Sequence, residues 1–242
     1  MGLAQQELSD NLIEQFGRQM LVPGIDEQGQ LNLSKRKISI IGLGALGTVA
    51  SQYLVRSGIG EIHLIDPDKI EESNLHRQIN YTLEDVGAFK TEISKSKLQK
   101  INDITKIFSH QNTYEDYLED NKNEIFDLVF DCTDNHENKI LSSQLCKKNK
   151  VAYVSISINS TEGVYFSQNY KKDATACFAC LFPQTDLNHR CLNSAMIGPV
   201  AGFVTSLACT KIIFALANSS NNLKSEINLI DLLTSDINKL QL

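Results

Sequence analysis

The sequence predicts an α/β fold whose mostly parallel sheet carries helices on both faces and continues into antiparallel strands. Three observations predict it. The apolar run Ile38-Ser39-Ile40-Ile41 enters a tight glycine turn, Gly42-Leu43-Gly44-Ala45-Leu46-Gly47, which opens the helical stretch Thr48–Ser57. Two further apolar runs, Glu61–Ile65 and Glu124–Asp131, alternate with helical patterns, as parallel strands joined by crossover helices require. Beyond Val151 the strand patterns follow one another around short polar turns, the mark of antiparallel pairing.

Composition narrows the function. The 242 residues suffice for a substantial core, and one domain over 1–242 is expected, as no linker or repeat interrupts the pattern. Within it, a helix at 7–20 precedes a nucleotide-binding core over about 36–158 and a C-terminal antiparallel part over 159–242. The net charge is -6 and no long Lys/Arg block occurs, so a broad nucleic-acid surface is not expected. Met1–Asp10 lacks the regions of a signal peptide, and a cytoplasmic location is expected. The apolar stretch Ala195–Ala217 contains Gly198, Pro199 and Lys211, which favours a buried helix over a membrane span. The six cysteines (132, 146, 177, 180, 191 and 209) are expected as reduced thiols, metal ligands or a reactive thiol rather than a disulfide framework.

Along the chain, Glu7–Met20 reads as an amphipathic helix carrying Arg18, followed by a loop with Pro23, Gly24 and Gly29. In the glycine turn, Gly42 permits the bend, Gly44 lets a phosphate approach the backbone, and Gly47 lets helix and strand pack closely. This is a Rossmann-like anion cradle, since the helix N-terminus presents unpaired N–H groups and a positive dipole end. Asp66 ends the second strand at the distance of a ribose-binding carboxylate, so a nicotinamide or flavin enzyme fits these residues equally well. The long connection Asp68–Phe89 does not fit that plain pattern. Apolar residues from Ile70 to Phe89 recur through it, predicting an ordered crossover that brings Arg77 and Lys90 near phosphate charge. Lys90–Ile101 is predicted helical, Lys106–Gln111 a strand and Tyr114–Asn121 a helix. Asp134 then follows a buried strand, where it either holds Mg2+ beside a polyphosphate or caps the helix Asn135–Lys148. Val151–Ile158 and Gly163–Gln168 predict a hairpin, and Glu226–Asp231 and Ser235–Leu240 two final strands.

These pieces together resemble the ThiF/MoeB/HesA family, relatives of the ubiquitin-activating enzymes. The matching segments are Gly17-Arg18-Gln19, Gly42–Gly47, Leu64–Asp68, Ser73–Gln78, Val86–Lys90, Asp131–Asn135, Cys177–Cys180 and Gly198–Gly202. The resemblance covers nearly the whole chain in order. It implies ATP-dependent adenylation of the C-terminal glycine of a small ubiquitin-fold sulfur carrier (ThiS-like or, alternatively, MoaD-like), by a homodimer. It also implies nucleotide contacts from Gly42, Gly44, Ala45, Gly47, Asp66, Asp68, Ser73, Asn74, Leu75, Arg77, Gln78, Lys90, Asp134 and Asn135. Asp134 is the implied Mg2+ ligand, Arg18 a finger reaching the partner's ATP site, and Cys191 the position of sulfur chemistry. ThiF-type thiamine-pathway activity is the first expectation.

The sequence also departs from the family pattern. Structural zinc takes two C-x-x-C pairs in the family, and here Cys177 and Cys180 supply one; Cys191, His189 or a partner subunit are the remaining candidates, and no spacing supports them. Lys139 and Ser143 stand where many relatives have Arg and Asn, placing a secondary phosphate or carrier contact in question. A Rossmann oxidoreductase would leave Arg77, Lys90 and Asp134 without a role, and a non-catalytic carrier-binding module would not need them.

Overall fold

Alternating apolar residues build the centre of a sheet that is buried on both faces. In the computed structural model, which describes residues 10–121, 124–171, 177–182, 195–219 and 222–242, β1 (Lys37–Ile41) is that centre. On one side lie β2 (Glu61–Ile65) and then β3 (Lys106–His110); on the other lie β4 (Leu128–Asp131) and β5 (Ala152–Asn159). These five strands are parallel. From β5 the sheet turns antiparallel through β6 (Glu162–Asn169), β7 (Glu226–Asp231) and β8 (Asp236–Gln241). The order is β3-β2-β1-β4-β5-β6-β7-β8. The chain therefore reverses direction across the sheet between β1 and β4, where open α/β sheets place their ligands.

The two faces have separate cores. Ile38, Ile40, Leu64 and Leu128 face α3 (Ala45–Arg56) and α8 (Gly198–Ala217). Ile41, Val129, Tyr153 and Phe166 face the side of α5 (Tyr114–Asp120), α6 (His136–Lys148) and the short α7 (Phe178–Leu181). By length and composition α8 would suffice to cross a membrane. Here it packs on α3, on α2 (Asp26–Leu33) and on β5 and β6, and Val204, Ala208 and Ile212 are fully buried. The remaining helices are α1 (Asp10–Met20) and α4 (Lys90–Leu98).

Several boundaries differ from the sequence reading. The expected loop before β1 contains α2. Its apolar signal is weak, but Asp26 accepts the Gly29 N–H at 2.8 Å, and Gly29 lies so close to α8 that an added Cβ would stand 3.2 Å from Ala217. α3 begins at Ala45 rather than Thr48. β4 begins at Leu128, because Asp127 turns its carboxylate back to the Lys37 N–H at 3.0 Å. The expected helix at 7–20 is described from Asp10, with Phe16 buried and Ile13 half exposed.

The expectation of reduced thiols fails at Cys177 and Cys180. They are joined in a disulfide, with Cα atoms 5.1 Å apart. Cys132, Cys146 and Cys209 are free and buried. Cys191 and His189 lie outside the described residues.

A polar cluster lies along β2 and β3. His63 Nδ1 approaches His110 Nε2 and the Tyr117 hydroxyl, each at 3.1 Å, and His63 Nε2 meets Glu61 at 2.9 Å. Glu61, His63 and Glu124 bring potential metal-ligand atoms within 4.8 Å. The Lys37 ammonium already pairs with both carboxylates and supplies the counter-charge there.

Burial, reinforced by the neighbouring His63 and Lys95 charges, pushes His110 down from 6.5 to about 4. Unfolded chains bind a proton on this imidazole near 6.5, folded ones only near 4. Stability contributed by the neutral ring is therefore complete above pH 6.5 and is lost as pH falls toward 4. Melting temperatures measured across this range should show a shallower acid slope in His110→Gln than in wild type. Superimposable profiles would remove His110 as a source of acid sensitivity.

Candidate functional site

The chain creates its cleft by bringing the ends of β1, β2 and β4 to the N-terminus of α3. Gly42 takes φ +82°, a backbone conformation that side chains rarely adopt, and rests 3.1 Å from the Cys132–Thr133 peptide through its missing Cβ. The Gly42 N–H bonds the Ile65 carbonyl at 2.9 Å, and the Cys132 N–H bonds the Ile41 carbonyl at 2.8 Å. The three strand ends are thus locked together. Gly47 is buried beneath the turn, where a Cβ would stand 1.8 Å from the Gly42 carbonyl oxygen. Gly44 is the N-cap of α3 and lines the cleft with Ala45. The cleft has a volume of about 630 Å³ and a helix N-terminus in its floor.

Asp66, at the end of β2, is 4% exposed. One carboxylate oxygen accepts the Leu43 N–H at 2.6 Å and the other the Asp68 N–H at 2.8 Å. Burial raises the Asp66 carboxyl above its ordinary range, against the lowering effects of the Lys90 ammonium and the two N–H groups. Lys90 opens α4 almost fully buried, with Nζ 2.8 Å from Asp68 and 4.0 Å from Asp66. The expected crossover is ordered. Two 3-10 turns, Glu72–Asn74 and Leu83–Asp85, and a bridge between Lys69 and Phe89 fold it over the strand ends.

The crossover brings Asn74, Arg77 and Gln78 to the cleft. One guanidinium nitrogen of Arg77 is held by the Ser73 carbonyl at 2.9 Å and by His76 Nε2 at 2.7 Å, which leaves the others uncommitted among the described residues. Gln78 is buried, and its Oε1 has no hydrogen-bond partner. A buried amide oxygen without a donor is costly, and a ligand donor would relieve it.

Asp134 lies exposed after β4 and lines the same cleft. It does not cap α6. Asn135 does, accepting the Glu137 N–H at 2.8 Å and the Asn138 N–H at 3.2 Å. The Asp134 carboxylate is consequently free of partners among the described residues. Its loop is ordered by the buried Asp131, which accepts the Thr133 N–H at 3.0 Å and hydroxyl at 2.6 Å.

Other sequence candidates take different places. Gly47, Ser73 and Leu75 do not line the cleft; Ser73 Oγ bonds Glu71 at 3.2 Å, and Leu75 ends a 3-10 turn. Asn135 lines it but commits its side-chain oxygen to the cap. Lys139 turns away from the cleft, with Nζ 3.5 Å from Asp131 and 2.9 Å from the Ile156 carbonyl. Ser143 is equally internal, 2.7 Å from the Tyr170 hydroxyl. Neither fits a phosphate or carrier contact. Arg18 is exposed on α1, whose Phe16 packs at Gly58 beyond the far end of α3. At 1.5 Å per residue, the twelve residues of α3 put about 18 Å between that end and the glycine turn. Thr113, Tyr114 and Asn138 also line the cleft, and no motif in the sequence marked them.

The lining suits a magnesium–polyphosphate: a helix N-terminus, the cations Lys90 and Arg77 and a free carboxylate at Asp134, while the unpartnered Gln78 oxygen is an acceptor for a donor elsewhere on a ligand. Among the described residues structural zinc does not fit, since Cys177 and Cys180 have spent their sulfurs on each other.

The model of the ThiF family matches residues 16–242. The chain belongs to the ThiF family. Among curated ThiF-family relatives, adenylyltransferase and sulfurtransferase MOCS3 of Dictyostelium discoideum is 31% identical over 228 residues, covering 92% of this chain and 53% of that protein. Adenylyltransferase and sulfurtransferase uba4 of Pyricularia oryzae is 33% identical over 219 residues, covering 87% and 45%. The chain thus spans about half the length of the curated relatives it matches. A solved structure of E. coli MccB with ATP superimposes with a TM-score of 0.75 at 26% identity, covering 88% of this chain and 66% of that one. PaaA shares the fold, with a TM-score of 0.80 at 18% identity and coverage of 99% and 76%.

The two glycines of this ThiF-family turn should respond differently to alanine. Gly47→Ala forces a Cβ onto backbone and should cost about 3 kcal/mol or more, seen as a large fall in urea midpoint. At Gly44 a Cβ would meet nothing nearer than Gln78 Nε2 at 3.7 Å, so Gly44→Ala should keep the midpoint and weaken nucleotide binding. Equal midpoints for the two variants would contradict this packing account.

Proposed function

We propose that this chain uses ATP to adenylate the C-terminal carboxylate of a small ubiquitin-fold sulfur carrier. The observation that carries the reading is the meeting of the α3 N-terminus, Lys90 and Arg77 with the uncommitted carboxylate of Asp134 in one cleft. A nicotinamide enzyme has no use for two cations and a metal-binding carboxylate around one phosphate turn. In the reaction, a carboxylate oxygen attacks the α-phosphorus, a P–O bond forms, and the bond to the β-phosphate oxygen breaks to release pyrophosphate. Anion attacks polyanion, so charge neutralisation and alignment matter more than proton transfer.

Arg77 and Lys90 supply the cations, the Gly44 turn and Gln78 the neutral contacts, and Asp134 is the group to hold Mg2+, which would offset phosphate charge when bound. The names of the MOCS3 and uba4 relatives support adenylation coupled to sulfur transfer. A ThiS-like carrier of thiamine biosynthesis is the first partner to test and a MoaD-like carrier the second. The solved MccB complexes with MccA add a third partner type to test, a chain of the MccA kind.

Carrier-dependent ATP–pyrophosphate exchange tests the reading. Exchange is expected with one of these partners and should fall about 100-fold in Asp134→Ala at unchanged melting temperature. ATP binding without exchange toward any of them would defeat the proposal, and full exchange in Asp134→Ala would remove that residue from it.

The position of Arg18, about a helix length from its own turn, supports a homodimer in which Arg18 serves the partner's site. Arg18→Ala and Asp134→Ala should each be inactive alone. Mixed one to one with subunit exchange, they should regain about a quarter of wild-type activity, since half the dimers carry one intact site of two. No recovery would place Arg18 outside the partner's site.

A further inference from the structure

Tyr81 lies in the crossover between Asp68 and Phe89. Its ring is buried, yet its hydroxyl lies among three polar groups: the Leu43 carbonyl at 3.0 Å, Ser94 Oγ at 3.1 Å and the Lys90 carbonyl at 3.4 Å. A phenol has one proton to donate. The shorter carbonyl contact gives that proton to Leu43, with the Ser94 hydroxyl donating to the phenol oxygen. Burial pushes the Tyr81 phenol up, so it stays protonated and keeps donating.

The Leu43 carbonyl and the Gly44 N–H belong to one peptide unit. In a trans peptide they point to opposite sides of the chain, and no cis bond occurs among the described residues. Fixing the carbonyl therefore fixes the direction of the N–H. Gly44 lines the cleft and Tyr81 does not, so the anchor grips the turn from behind. On the other side of Leu43, its own N–H is held by Asp66 at 2.6 Å. The Tyr81 hydroxyl also meets Ser94 of α4, one turn after Lys90 at the helix's first residue.

We propose that Tyr81 is a positioning residue of the nucleotide site. Its hydroxyl anchors the Leu43 carbonyl from behind the cleft, holding the Gly44 N–H in direction for a polyphosphate. The inference rests on the ATP reading above. It assigns Tyr81 no contact with substrate; it acts through the turn. The effect belongs to the phosphate end of the ligand, which separates it from general support of the fold.

Tyr81→Phe keeps the ring and removes only the hydroxyl. Calorimetric titration with ATP and with adenosine, after a melting curve shows each variant folded, reads the effect. ATP affinity should fall about ten-fold, the scale of one lost buried hydrogen bond, while adenosine affinity stays within two-fold. Ser94→Ala, which leaves the Leu43 bond in place, should hold ATP affinity within two-fold and guards against a Tyr81 variant too unstable to titrate. Unchanged ATP affinity in Tyr81→Phe, an equal loss for adenosine, or an equal loss in Ser94→Ala would each overturn the inference. Wild-type protein that fails to bind ATP would overturn the nucleotide reading as well, whereas a defect confined to the variant comparison leaves that reading standing.

Discussion

The carboxylate of Asp66 holds the site together. It receives the N–H of Leu43 from the glycine turn and the N–H of Asp68 from the start of the crossover, and lies 4.0 Å from the Lys90 ammonium. Three segments separated in sequence are fastened by one buried charge. Such a charge is tolerated only with partners of this quality, and those partners are the elements a polyphosphate would meet. Gly47 completes the arrangement, since the helix can approach the turn only where no Cβ intervenes. A ligand entering this cleft meets groups already aligned.

Much of the fold was legible because β1, β2, β5 and β6 are bounded by turn residues and carry strong apolar patterns. The crossover was legible as ordered from its recurrent apolar residues. α2 was not, because its packing depends on a small residue against Ala217 rather than on an apolar stripe. The competition between Asp134 as cap and as cleft residue was undecidable from adjacent Asp and Asn; the backbone gives the cap to Asn135. Lys139 looked like a weakened phosphate contact because charge was visible in the sequence and direction was not. Its stem runs inward to Asp131, where it balances a buried carboxylate. Tyr81 was hidden for a related reason: an aromatic in an apolar pattern announces packing, and only coordinates show where its hydroxyl goes.

The division of the sheet matters for partners. The parallel half ends in the cleft, and the antiparallel half extends from it through β6, β7 and β8 without interruption. Leu229, Leu233, Ile237 and Leu240 are exposed on this last hairpin. The strand that joins the halves, β5, is parallel to β4 and antiparallel to β6. Lys139 reinforces that joint by bonding both Asp131, at the end of β4, and the Ile156 carbonyl in β5.

The pairing of β1 with β4 has a consequence for synthesis on the ribosome. Ile38 pairs with Leu128, and Gly42 rests on Cys132 and Thr133, so the turn depends on residues translated much later. Until they emerge, β1 can pair on its β2 side alone, and its other edge shows peptide groups and the apolar side chains of Ile38 and Ile40. Long-range parallel pairing of this kind is slow compared with hairpin closure. A nascent chain stalled before β4 thus presents a sticky edge in place of a nucleotide cradle, and it is the timing of translation that decides how long that edge stays open.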